Sequence, residues 1–191
     1  MFDKKRKKAL TKLVILVLLL ILVIRIFTLT LSKFQSTSYS EANVDLAFYL
    51  LNVDKQSMTL NLDSIFPRDT PYVYSFSIGN TNGQKTSEID IEYDLEIKTT
   101  TNLPLTYELY LNQNYTDNGA INIITSNQII QDENLTYFRQ ITTNKKVLRY
   151  TSAETNVYNL VVYFPSTYNT TNYQDIFESI EINVNSRQVT E

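Results

Sequence analysis

The stretch "EIDIEYDLEI", Glu88–Ile97, places a carboxylate at every second position: Glu88, Asp90, Glu92, Asp94 and Glu96. Ile89, Ile91, Tyr93, Leu95 and Ile97 fill the places between. Successive side chains of an extended strand face opposite ways, so period two predicts a half-buried β-strand with an apolar face and an acidic one. The apolar face is expected in a core and the acidic one in water.

The same rhythm extends on both sides. "VDLAFYLLNV" aligns Val44, Leu46, Phe48 and Leu50, and "SMTLNLDSI" aligns Met58, Leu60 and Leu62. "PYVYSFSIGN" aligns Tyr72, Tyr74, Phe76 and Ile78; "LTYELYLNQ" aligns Leu105, Tyr107, Leu109 and Leu111. "VYNLVVYF" is apolar on both faces, as an interior strand is, and "IFESIEINV" aligns Ile180, Ile182 and Val184. Gly79, Gly83 and Gly119 lie in polar turn-like stretches. Pro67, Pro71, Pro104 and Pro165 stand at run ends, where a missing N–H breaks no ladder. Seven or more short strands predict an all-β fold, an antiparallel β-sandwich of jelly-roll or immunoglobulin-like type. Residues 114–156 lack the rhythm and are expected to hold an insertion with a short helix, Gln128–Gln140 being ambiguous.

The formal charge of −3 conceals two unlike parts. Eight of the 17 basic residues and one of the 20 acids lie in residues 1–33, so the remainder carries nine basic against nineteen acidic residues, a net of −10. Phosphates would be repelled by such a body, which argues against a nucleic-acid partner. The basic start precedes twelve uninterrupted apolar residues, Leu13–Ile24, and Leu10–Leu31 is long enough to span a bilayer. Residues 1–33 therefore read as an N-terminal signal peptide or a signal-anchor transmembrane helix, 34–41 as a linker and 42–191 as an extracellular domain. Lys4–Lys8 orient the amino terminus to the cytoplasm in either case. Ser40-x-Ala42 is a passable cleavage site, so both a membrane-held and a secreted body are carried forward.

Chemistry has little to stand on. With no cysteine and no histidine, thiolate sites, the commonest zinc ligand and the commonest general base are all missing. Alternate acids on a strand sit about 6.6–6.8 Å apart, within the separation of about 6.5–9.5 Å used by inverting glycosidases. A glycosidase pair also needs a cleft and one acid of raised pKa. Calcium needs about six to eight converging oxygens, whereas a straight row diverges. The acid comb is thus taken as a solvated strand face, a deterrent to edge pairing, or part of a cation site completed by neighbouring strands. "LPLT", Leu103–Thr106, is followed by Tyr107 rather than glycine and reads as a strand entry, and "DNG", Asp117–Gly119, as a turn. No catalytic residue, cofactor or metal ligand is assigned.

Residues 44–112, through "IFPRDTPYVYSFSIGN", the comb and "LPLTYELYL", resemble secreted proteins of the TasA/camelysin type of Firmicutes, exported through a SipW-like signal peptidase. The turn Pro67-Arg68-Asp69 and the strand ending at Gly79-Asn80 carry the resemblance, with Arg68 where that family favours glycine. It implies a jelly-roll-like sandwich, a biofilm-matrix or fibre-forming role, and partners of the same kind. Proteolysis, ascribed to some camelysins, is not carried over to a chain without histidine or HExxH. The function expected is that of a surface-exposed or secreted structural protein without catalysis. Its partners would be the membrane, through the N-terminal helix, and itself or other surface proteins, joined by strand addition near Ala42–Val53. The alternatives are a membrane-tethered, adhesin-like binding module and a glycan-active enzyme.

Overall fold

The computed structural model describes residues 12, 19, 46–50, 55–62, 65–173 and 176–189. The chain divides into two compact units, Met1–Ser40 and Glu41–Glu191. Of the first, Lys12 and Leu19 are described, both helical and exposed. The remainder of the expected leader, the linker 34–41 and Val44 lie outside the described residues. Among the described residues no helix is long and apolar enough to cross a membrane.

The second unit is all-β, as the alternation predicts. Its strands are β1 (Leu46–Tyr49), β2 (Lys55–Asn61), β3 (Tyr72–Gly79), β4 (Ile91–Thr99), β5 (Thr106–Leu111), β6 (Ile124–Gln131), β7 (Tyr137–Thr143), β8 (Lys146–Leu148), β9 (Thr155–Tyr163) and β10 (Ser179–Gln188). Four form one sheet in the order β1-β3-β9-β5; the other runs β2-β10-β4-β7-β6, with β8 also paired to β4. Described pairings are antiparallel except β1 with β3, which is parallel.

Inward residues of both sheets meet in one core. In β4 burial alternates strictly: Ile91, Tyr93, Leu95, Ile97 and Thr99 are buried and the residues between are not. Each fully buried Leu or Ile contributes about 1.5–3 kcal/mol of transfer free energy, so one slip of register would forfeit three such residues together with Tyr93. β9 is apolar on both faces because it lies between β3 and β5, and Val161 on its outer face is buried as fully as Leu160 on the inner. Rings knit the core: Phe76 stacks on Tyr158 at 5.2 Å, and Phe48 meets Phe76 edge-on at 6.3 Å.

Three expectations need correction. The comb enters its strand only at Ile91; Glu88, Ile89 and Asp90 form the bend before it. The expected insertion with a helix is a β-hairpin, β6–β7, followed by β8. β6 is a rim strand with no fully buried residue, so no core imposed period two on its sequence. Gly79 is not a turn residue but the last residue of β3, where an added Cβ would lie 3.0 Å from Thr155 Oγ1 and 3.1 Å from the Glu154 carbonyl oxygen. The glycine permits the close approach of β3 to the Glu154–Thr155 backbone.

Candidate functional site

Each acid of the comb has a partner, except that Glu88 stands exposed before the strand. The Asp90 carboxylate accepts from the Tyr150 amide at 2.8 Å and from Arg149 Nη1 at 2.9 Å. Those bonds, the amide first, hold its pKa below the usual carboxylate value. Glu92 lies directly opposite Arg187 of β10, whose guanidinium donates to it, and Lys145 approaches at 3.4 Å. Asp94 accepts from Asn185 Nδ2 at 3.2 Å, and Glu96 takes the Gln140 side chain and lies 3.5 Å from Lys98 Nζ.

β4 has β10 on one side and β7 with β8 on the other. The comb is therefore no guard on a free edge, since β4 has none. It is an interior row answered across the sheet by Arg187 and Asn185, and such cross-strand pairs are worth about 0.2–1 kcal/mol each. Among the described residues no group of three or more acids, histidines or cysteines is arranged to hold a metal.

A second carboxylate lies outside the comb. Glu178, 1% exposed, accepts at Oε1 from the Thr99 hydroxyl at 2.6 Å. Its Oε2 accepts from the amides of Leu103 at 3.1 Å and Asn102 at 3.2 Å. Tyr107 Oη lies 2.9 Å from Thr99 Oγ1. Because the one Thr99 proton goes to the carboxylate, Tyr107 is the donor in that pair and the three groups form a relay. Burial raises the pKa of Glu178, and these bonds oppose the rise. A sequence signal existed: Glu178 shares its parity with Ile180, Ile182 and Val184, which puts a charge on the core side. Its hydrogen-bond partners include no second carboxylate, so this is a clamp on the β4–β5 loop and not an acid pair.

The outer face of the four-stranded sheet carries a third. Glu108 Oε2 accepts from Tyr163 at 2.8 Å and from Tyr110 at 2.9 Å, and burial followed by the Glu108 charge raises the pKa of both phenols. The loop after β5 lies on this face, where Asn159 Nδ2 donates to the Gln113 carbonyl at 2.7 Å. Tyr72, Tyr74, Tyr93, Tyr107 and Tyr158 instead face the core.

The turn residues singled out in the sequence are fasteners. Arg68 lays its guanidinium 3.5 Å from the centre of the Tyr72 ring and donates to the carbonyls of Thr70 and Pro71, while Asp69 accepts from the Ser166 hydroxyl. Asn80, fully buried, donates to the carbonyls of Arg149 at 2.7 Å and Ser152 at 2.9 Å and accepts from the Glu154 amide at 2.8 Å. Leu103 and Leu105 are buried where "LPLT" leads into β5, the strand entry expected of them.

Open backbone is the other resource. The rim of β5 is covered at Leu109, which receives Ile123 N–H on its carbonyl and gives its own N–H to Asn122 Oδ1. The rim at β1 has no further described strand. A shallow depression of about 220 Å³ lies against β6 and β7, lined by Ile121–Thr125, Thr143, Asn144 and Lys146. It is smaller than the about 300–1,000 Å³ of typical ligand pockets and lacks converging acids.

No family model, curated protein or solved structure matches the chain.

Proposed function

We propose that this chain is a surface-exposed structural protein, held at or released from a membrane by residues 1–33. Its body is a β-sandwich of jelly-roll or immunoglobulin-like kind that assembles by strand addition. The observation that carries this reading is the state of β1. It is four residues long, lies at a sheet rim and pairs in parallel with β3 alone, yet it sends Phe48 into the core just ahead of Leu50. A strand with few ladder bonds and two buried anchors can be exchanged for its equivalent from another copy, because every lost contact is remade.

Deleting residues 41–53 would not leave an intact body, because Phe48 and Leu50 roof Phe76 and Ile78. The test must keep the strand and restrain its exchange. Ala47 and Ser77 are register partners, and the chain has no native cysteine to compete. An Ala47→Cys/Ser77→Cys pair oxidised in the monomer is expected to stop assembly; oxidised after assembly, it should give covalent multimers. Fibres or oligomers formed by the locked monomer would refute the reading.

The tethered binding module draws on one feature, the carboxylate of Glu108 held between Tyr110 and Tyr163. Loss of cell-surface adhesion in Glu108→Gln/Tyr163→Phe, with melting and assembly unchanged, would favour it.

A further inference from the structure

We infer that the end of the body holding Phe66, Tyr168 and Phe177, together with the β6–β7 hairpin tip, rests on the surface of a lipid bilayer. The inference rests on the membrane tether proposed above and adds to it a second, peripheral contact.

The topology gathers these residues. β2 ends at Asn61 opposite Ser179 of β10, β4 ends at Thr99 opposite Ile180, and β3 starts at Tyr72 opposite Val162 of β9. The three loops at this end are tied together: Arg68 N–H to the Phe164 carbonyl, Leu62 N–H to the Glu178 carbonyl, Leu103 N–H to the Glu178 carboxylate. Arg139 of β7 pairs with Thr99, so the hairpin turn at residues 132–136 projects beyond the same end.

This end presents exposed apolar side chains among polar loop residues. Phe177 is 63% exposed and Phe66 42%, and they are the exposed phenylalanines among the described residues. Tyr168 and Tyr137 are exposed beside them. Leu135, at the hairpin tip, is 73% exposed and adopts φ 63°, a left-handed conformation that suits glycine or asparagine better than a branched apolar residue. Its backbone is bonded within the turn, N–H to the Asp132 carbonyl at 3.1 Å and carbonyl to Gln131 Nε2 at 3.2 Å, while its side chain is left largely in solvent. Aromatic rings and leucines held at one rim are the groups that partition to the membrane interface.

The chain's own course selects a bilayer as the occupant. Leu46 lies level with Phe76 and Tyr49 with Gly79, so β1 is entered from the Tyr72 side, the side of this rim. Twelve residues, 34–45, separate the apolar leader from β1, a reach of at most about 40 Å at 3.3–3.6 Å per residue. With residues 1–33 in a bilayer, as proposed above, that reach allows this end to meet the lipid. Asp69, Asp132 and Glu133 share the rim, so neutral lipid should be favoured over anionic.

The chain contains no tryptophan, and a single introduced one reports its own surroundings. Full-length Phe177→Trp, Leu135→Trp and, at the opposite end, Tyr150→Trp would be reconstituted in phosphatidylcholine vesicles with brominated acyl chains. Melting curves would confirm that each is folded, with Leu135→Trp serving should Phe177→Trp not fold. Emission at positions 177 and 135 is expected to be quenched at least twofold more than at 150, and less so when anionic lipid is added. Vesicle-bound protein with equal quenching at all three positions overturns the inference and leaves the tether standing. A chain that does not float with vesicles overturns both. A blue shift that grows with protein density without lipid quenching assigns the rim to a second copy and overturns the bilayer contact.

Discussion

The Thr99 hydroxyl donates to Glu178 Oε1 at 2.6 Å in the floor of the core, where Thr99 is 2% and Glu178 1% exposed. Thr99 ends β4 opposite Ile180, two residues beyond Glu178, which lies just before β10. Tyr107 completes the chain of bonds from the facing sheet, so one carboxylate joins both sheets and the β4–β5 loop.

Glu178→Gln should lower stability by about 1–3 kcal/mol, because the amide NH2 must face either the Thr99 hydroxyl or the two N–H groups. The pH dependence separates this from simple loss of packing. With the folded pKa above the ordinary 4.5, the native state binds the proton more tightly than the unfolded chain. The wild type should gain stability as pH falls through the folded pKa and level off below 4.5, whereas the variant should lack this segment. Urea titrations from pH 4 to 8 would measure it; superimposable slopes for the two proteins would exclude the assignment.

Asn80→Ala should cost about 1–3 kcal/mol, since it removes the buried partner of the Glu154 amide and of the Arg149 and Ser152 carbonyls. Asn80→Asp should be worse than alanine at neutral pH. Its carboxylate would face two carbonyl oxygens at the places where the amide now donates. Thermal melts of the two variants give the ranking directly, and an aspartate variant as stable as wild type would mean the loop 149–154 is not held this way.

How far the sequence was legible follows from where each strand lies. β3, β4, β5 and β10 each press one face on the core, so their residues alternate, and β9, interior in its sheet, has apolar residues on both faces with Asn159 the polar exception in its buried run. β6 touches the core with little of its surface, and nothing in "ITSNQIIQ" needs to repeat. The acids of β4 were visible, but their partners Arg187, Asn185, Gln140 and Arg149 lie 44 to 95 residues away. Periodicity along one strand carries no information about the strand beside it. Glu178 was the exception, detectable as a charge at a core-parity position.

Asp90 and Glu92 should respond differently to neutralisation. Glu92→Gln gives up a partly exposed pair with Arg187 and Lys145, and such pairs contribute about 0–1 kcal/mol. Asp90→Asn alters an acceptor that the Tyr150 amide and Arg149 both use, and should shift the acid limb of stability. The lowered folded pKa of Asp90 means its contribution is present above the ordinary value of 3.8 and is lost as pH falls through the folded one. Acid denaturation followed by circular dichroism should therefore begin at higher pH relative to neutral stability in wild type than in Asp90→Asn. Identical acid limbs would assign that transition to other carboxylates.

Phe48→Ala tests whether β1 is both anchored and exchangeable. Phe48 is 4% exposed and packs edge-on against Phe76, so truncation should destabilise the body by about 3–5 kcal/mol. Ala47→Thr, on the outward face of the same strand, should change stability by less than about 0.5 kcal/mol. If strand addition drives assembly, Phe48→Ala should weaken it in parallel with the fold, because the same phenylalanine would be buried in the neighbour as in its own body. Adding excess unlabelled wild type to the variant should then restore its incorporation at the growing end that supplies a wild-type strand, but not at the end that must accept the variant's own. Measuring the two ends separately by single-particle imaging distinguishes this from a general loss of folded protein, which would slow both equally.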